Sequence, residues 1–184
     1  VADAMKGYVS VGCSKRPVTP IRWVSHASGG TDDWIDVGTP VLSPMTSEPG
    51  RDVVLPVGQY DDLTELYSLA RYAEELEYGY LTTGETTGRN VPMVLASLAG
   101  ETDEIGITND VISPYSRSPA LIGQTAVTMQ ELSDGRFRLR IGASSPALAE
   151  DWHGVSFDRP LRRVREAVDI VRQVQSGDRL DYDG

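Results

Sequence analysis

From residue 52 onward the sequence alternates short β-branched runs with longer stretches of helical spacing, and this alternation restricts the fold more than any other feature. DVVLPV is a strand-like run. Asp61-Asp62 follows as an N-cap pair, then LTELYSLARYAEELEYG, in which Leu63, Leu66, Leu69, Ala70, Ala73 and Leu76 share one helix face. The pattern repeats as YGYLTTGE, VPMVLASLAGE, EIGITND and PALIGQTAVTMQELSDG, the last with a C-terminal stop at Asp134-Gly135. RFRLRIGA reads as a further strand and PALAEDW as a short helical turn. The closing helix, PLRRVREAVDIVRQVQSG, carries a stripe of Leu161, Val164, Val168, Val171 and Val174. Strands and helices alternating at this pitch predict a parallel sheet with outer helices, either doubly wound or a (β/α) barrel. RFRLRIG stands apart, because arginines interrupt a strand that such a sheet would bury on both faces.

The first fifty residues read differently. YVSVGCS and WIDVGTPVLSP suggest strands, PVTPIRWVSHAS between them a poor helix, and TSEPGRD a linker. The predicted division is therefore residues 1–50 and residues 51–184. A chain of 184 residues suits one ordinary domain with a real core. It has no apolar run long enough for a transmembrane helix, and VADAMKGYVS lacks a signal-peptide pattern, so a soluble, cytoplasmic protein is expected. Cys13 is the lone cysteine, which leaves no disulfide framework and no thiolate cluster. With His26 and His153 the only histidines, a His-rich metal site is not expected. GxSxG, GxGxxG and Walker loops are absent. The formal charge is −10, and of 17 basic residues only Lys6 and Lys15 are lysines. Such a chain repels nucleic acid and anionic membranes, and its lysine-poor acidity fits either adaptation to strong salt or ordinary acidic drift. Arg159, Arg162, Arg163 and Arg165 lie close together with acidic Glu166 and Asp169 beside them, and read as a solvated helix face.

In parallel α/β proteins ligands gather at the carboxyl ends of the strands. Those ends here are GQY, ETTGRN, NDVISPYSR and ASSPA, which would bring Glu85, Thr86, Arg89, Asn90, Asn109, Asp110, Ser144 and Ser145 to one rim. Singly, each has a structural reading: Glu85 as a helix cap, Asp110 as a turn residue, Ser144-Ser145-Pro146 as an N-cap. Together they read as a functional cluster.

Three blocks in order, YGYLTTGETTGRNVP, ITNDVISPYSRSPALIGQTAVTMQELSDGRFRLRIGASSPAL and EDWHGVSFDRPLRRVREAVDIVRQVQSGDRLDYDG, resemble the luciferase-like flavin or deazaflavin oxidoreductases. The match is to the branch of methylenetetrahydromethanopterin reductase-like enzymes, with TMQELSDGRFRLRIG its most specific block. The resemblance implies a partial (β/α)8 TIM barrel. It implies hydride transfer between coenzyme F420 (alternatively FMN) and a small organic substrate, the cofactor carrying the redox work. In that family the third strand ends in a non-prolyl cis peptide bond that forms a bulge behind the cofactor ring. The corresponding bond is Asp110–Val111, where the family more often has a small residue first; a carboxylate there disfavours an anionic reduced ring. By the same matching Glu85 and Thr86 are the candidate catalytic residues, with Glu85 handling a proton or facing substrate and Thr86 standing where relatives carry a histidine. Asn109, Asp110, Val111, Ser144 and Ser145 are the candidate cofactor-binding residues.

The resemblance accounts for four of the eight strands, without those that hold the cofactor's phosphate tail. Residues 1–50 faintly resemble the family's carboxyl-terminal strand-helix-strand, which in a closed barrel would set the last strand beside the first. Either a homo-oligomer or a second family chain completes the barrel, or the chain is an inactive remnant that serves as a subunit or scaffold.

Overall fold

The computed structural model of the protein describes residues 51–58, 62–177 and 179–184, together with the backbone of Gly7–Gly12 and Arg22–Ser25. In chain order the elements are β1 (Gly7–Gly12), β2 (Arg22–Ser25), β3 (Val53–Val54), α1 (Leu63–Glu75), β4 (Tyr80–Thr83), α2 (Val91–Ala99), β5 (Gly106–Asn109), α3 (Pro119–Leu132), β6 (Phe137–Gly142), a π-helical turn (Ala147–Trp152) and α4 (Pro160–Ser176). The strands form one sheet in the order β2-β1-β6-β5-β4-β3. β3, β4, β5 and β6 are parallel, as the alternation predicts.

Helix starts follow local chemistry. Asp62 accepts the Thr64 N–H at 2.9 Å ahead of α1, and Ser118 accepts the Leu121 N–H at 3.3 Å ahead of α3, where Pro119 is the first helical residue. α1 buries Leu66, Ala70 and Ala73, and α4 buries Val164, Ala167, Val168 and Val171. Leu76 and Leu161, both expected on those buried stripes, are instead exposed at the helix ends, 44% and 68% respectively.

Parallel register explains the arginine alternation. Val53, Leu81, Ile107 and Phe137 lie side by side across the four strands, and all four join the apolar core beneath the helices. Val54, Thr82, Thr108 and Arg138 form the next row, on the face away from the helices. There the Arg138 guanidinium lies 4.4 Å over the Tyr80 ring, and Arg140 reaches Asp52 at 3.6 Å. Only one face of β6 is packed by helices, so a strand of alternating arginines serves both sides. Burial is the main reason that the Tyr80 phenol is pushed up from its ordinary value, against the Arg138 charge.

The loop from α2 to β5 is held from two directions. Glu74 Oε1 accepts the N–H groups of Glu104 at 2.6 Å, Ile105 at 2.8 Å and Asp103 at 3.0 Å. Arg136 donates to the carbonyl oxygens of Ala99 at 2.9 Å, Thr102 at 2.8 Å and Ile105 at 2.8 Å.

The N-terminal region departs from expectation at Arg22–Ser25, which is a strand inside the stretch read as a poor helix. β-Branched and aromatic Trp23-Val24 prefer extended backbone once a partner strand is available, and β1 supplies it. β1 pairs antiparallel with β6, from Tyr8 opposite Gly142 to Gly12 opposite Arg138. The expected strand WIDVGTPVLSP, and with it the expected placement of a last strand beside β3, lies outside the described residues.

Candidate active site

The parallel strands all end on one side, and the loops that follow line a shallow cleft open to solvent. Glu85, Thr86, Val111, Ser144, Leu148 and His153 are among the residues that line it. Its architecture begins at the end of β5. The peptide bond Asp110–Val111 is cis, at the bond to which the resemblance points. The Asp110 N–H still pairs with the Thr83 carbonyl at 2.8 Å, after which the chain leaves the ladder for one residue. It rejoins β6 at Ile112, whose N–H donates to Arg140 O at 2.9 Å and whose carbonyl accepts from Gly142 N at 3.0 Å. Val111 is therefore a bulged residue, turned into the cleft.

Asn109 fills the gap in pairing. Its fully buried amide donates to Arg140 O at 2.5 Å and accepts from Arg140 N at 3.1 Å, replacing the backbone contacts that the bulge removes. Its side chain is thus committed to β6 rather than to the cleft. Two glycines make room for the bulge. A Cβ on Gly84 would stand 2.7 Å from the Asp110 carbonyl oxygen, and one on Gly142 would stand 2.6 Å from Val111 Cγ2. The glycines of LTTG and RIG are needed because β4 and β6 close on the bulge from both sides.

Sorting the site residues by their hydrogen bonds separates framework from free chemistry. Glu85 is gripped by Arg117 in a two-pronged pair: Nη2 donates to Oε1 at 2.6 Å while Nη1 holds Oε2. Both side chains are nearly buried, 12% and 13% exposed. Ser145 Oγ accepts the Leu148 N–H at 3.3 Å and its carbonyl accepts from Ala149 at 3.0 Å, so it starts the π-helical turn, as its N-cap reading indicates. Asp110 is half-exposed, and its carboxylate lies 4.0 Å from the Arg140 guanidinium, which offsets its charge. Thr86 and Ser144 line the cleft with hydroxyls that hold no hydrogen bond among the described residues, and Ser144 takes a left-handed φ of 65°.

Sequence reasoning passed over three contributors. Arg117 comes from the loop SPYSR, where no periodicity marks it as the partner of an acid 32 positions earlier. Tyr115 is buried under the cleft; its hydroxyl donates to Asp158 O at 2.6 Å, and its ring stacks 4.9 Å from Phe157 with Arg163 4.5 Å from its centre. Burial pushes its phenol up from the ordinary value, despite the nearby Arg163 charge. His153 reaches the rim through the π-helical turn, whose extra residue cannot be read from composition. No set of three metal-ligating side chains occurs among the described residues.

For a flat ring the residues fit: Val111, Leu148 and Ala149 offer apolar contact, and Thr86 and Ser144 offer hydroxyls at its edge. For a phosphate tail the described lining offers no arginine or lysine.

A parallel β/α half-barrel with a cleft at the carboxyl ends of its strands is the framework of a (β/α) barrel. The sequence model described as Luciferase-like monooxygenase matches residues 20–184, and the chain belongs to that family. It is 38% identical over 121 residues to a 5,10-methylenetetrahydromethanopterin reductase of Archaeoglobus fulgidus, covering 65% of this chain and 36% of that protein. Among solved structures it is similar to the coenzyme F420 dependent tetrahydromethanopterin reductase of Methanopyrus kandleri (TM-score 0.62, 21% identity, 73% of this chain and 42% of the other). It also resembles the oxygenating constituent of 3,6-diketocamphane monooxygenase from Pseudomonas putida, solved with FMN (TM-score 0.63, 16% identity, 73% and 42% covered). These last two likenesses establish a fold, that of part of a luciferase-like TIM barrel. The chain spans about a third of the length of the curated relatives it matches, 36% and 30% for two of them. No helix among the described residues is long and apolar enough to cross a membrane.

Proposed function

We propose that this chain forms the substrate-and-ring sector of an F420-dependent oxidoreductase of the methylenetetrahydromethanopterin reductase type, with FMN as the alternative cofactor. The observation that carries the reading is the cleft itself: Val111 after β5 and Leu148 and Ala149 of the π-helical turn give it apolar contacts, with the unengaged hydroxyls of Thr86 and Ser144 facing it. The named activity of the Archaeoglobus relative supports the same choice. When bound, the deazaflavin ring would accept or deliver a hydride at a small organic substrate. Val111 and Ser144 would touch the ring, with Asn109, Asp110 and Ser145 fixing the backbone behind them. Glu85 and Thr86 would face the substrate, Glu85 as an anchored charge. The remaining barrel strands and the tail-binding groups would come from polypeptide beyond residues 51–184: a second copy, another family chain, or residues 1–50 acting as a carboxyl-terminal-like strand pair. The acidic, lysine-poor composition supports work in a salt-rich cytoplasm.

The two-pronged Glu85–Arg117 pair favours one other reading, an inactive subunit whose site has become framework. Fluorescence titration of oxidised coenzyme F420 and of FMN into the protein in molar salt separates them. Saturable binding of F420 alone is the expected result. A folded protein that binds neither has lost the site.

A further inference from the structure

The cleft has three titratable side chains in its lining, Glu85, Tyr115 and His153, and two of them are immobilised. Glu85 presents both oxygens to Arg117, and Oε1 also faces the Val91 N–H at 3.4 Å. The Tyr115 hydroxyl is committed to Asp158 O, and its ring lies between Phe157 and Arg163. The imidazole of His153 holds no hydrogen bond among the described residues, and it is exposed at the rim of the cleft. Its backbone is nonetheless fixed. The His153 N–H donates to Leu148 O at 3.1 Å, closing the π-helical turn, and the same turn supplies the lining residues Leu148 and Ala149. Such turns concentrate at functional sites because the added residue re-aims the side chains that follow it. The acids of the same turn are placed elsewhere: Glu150 accepts the Phe157 N–H at 3.1 Å, and Asp151 is exposed and does not line the cleft.

We infer that His153 is a ligand-contacting residue of this cleft and the group that holds an exchangeable proton against the bound molecule, a role from which Arg117 withholds Glu85. The inference rests on the cofactor reading above and deepens it. Histidine suits the task because its charge changes near neutral pH and both ring nitrogens can donate when it is protonated.

The two histidines make the test direct, because the imidazole Cε1–H region of an NMR spectrum holds two side-chain signals. The signal missing from His153→Gln identifies residue 153. Oxidised coenzyme F420 is then added to saturation, followed independently by its fluorescence, and both signals are titrated with pH. A proton held against an acceptor on the ligand raises the His153 midpoint by about one pH unit, a tenfold gain in proton affinity. Saturation by the coenzyme with an unmoved or lowered His153 midpoint overturns the inference and leaves the cofactor reading standing. Absence of coenzyme binding removes the cofactor reading and this inference with it.

Discussion

Removing Arg117 tests the arrangement of the cleft most sharply, since the side chain's exposure is only 13% and that of its partner Glu85 is 12%. Replacement by Met keeps the bulk and deletes the charge, leaving a carboxylate largely withdrawn from water with neither prong of its partner. Breaking such a pair from one side costs roughly 3–5 kcal/mol, and the residual exposure places this case near the lower limit, about 3 kcal/mol. For a chain of this size each kcal/mol moves the melting temperature by about 2–4 °C, so Arg117→Met should melt about 6–12 °C below the wild type. Glu85→Met strands the guanidinium instead and should cost a similar amount. The double replacement strands neither charge, so its cost should be smaller than that of either single change, a coupling of at least about 3 kcal/mol. Denaturant unfolding of the four proteins in molar salt measures the cycle, and a nearly buried pair should keep most of its coupling there. Arg162→Met, which breaks the exposed pair with Glu166, should leave the midpoint in place and serves as the control. Additive costs below about 1 kcal/mol for each single change would refute the reasoning. Glu85 would then stand free in the cleft and regain its claim on proton transfer.

Two other perturbations read the framework around the site. Gly84→Ala sets a methyl 2.7 Å from a backbone carbonyl that cannot turn away, whereas Gly142→Ala meets the end of the Val111 side chain at 2.6 Å. Thermal unfolding should show a loss of about 1–3 kcal/mol for Gly84→Ala and a smaller one for Gly142→Ala, and the opposite order would contradict the packing of the bulge. Glu74 carries the acid sensitivity of the α2–β5 loop. Burial raises its pKa, but the N–H groups of Ile105, Glu104 and Asp103, with the Arg136 charge, outweigh burial and hold it below the ordinary 4.5. A carboxyl lowered in the folded state contributes stability above that value and loses it as pH falls through the folded one. Stability measured from pH 6 down to 3 should therefore decline less steeply below about 4.5 in Glu74→Gln than in the wild type, and parallel curves would remove Glu74 from the account.

The sheet and its helices were legible because every step of that reading is local. Leu66, Ala70 and Ala73 repeat at helical spacing, Asp62 announces the helix that follows, and the row of Val53, Leu81, Ile107 and Phe137 is apolar throughout. The β2 strand was not legible, because the strand preference of Trp23-Val24 covers only two residues between Pro- and Ser-rich flanks, and its extended form is fixed by pairing with β1. The arginines of β6 looked misplaced for a related reason. A strand reports the two faces it separates, and only one of these, the face bearing Leu139 and Ile141, lies against helices.

Within the site, position and availability divide in the same way. Residue order brings Glu85, Thr86, Asn109, Asp110, Val111, Ser144 and Ser145 to the ends of parallel strands, since loop position follows from strand order. Whether each side chain is free to act depends on partners that are distant in sequence and meet only across the folded sheet. Asn109 is committed to Arg140 and Glu85 to Arg117, pairings over 31 and 32 positions that no spacing encodes. Two polar groups of the right type were therefore absorbed into the frame, while Thr86 and Ser144 remained open. His153 was hidden by the converse effect: its side chain reaches the cleft through one additional residue in a helical turn. A rim of polar strand ends marks where chemistry occurs in a fold of this kind, and the buried hydrogen bonds behind that rim decide which members of it can perform it.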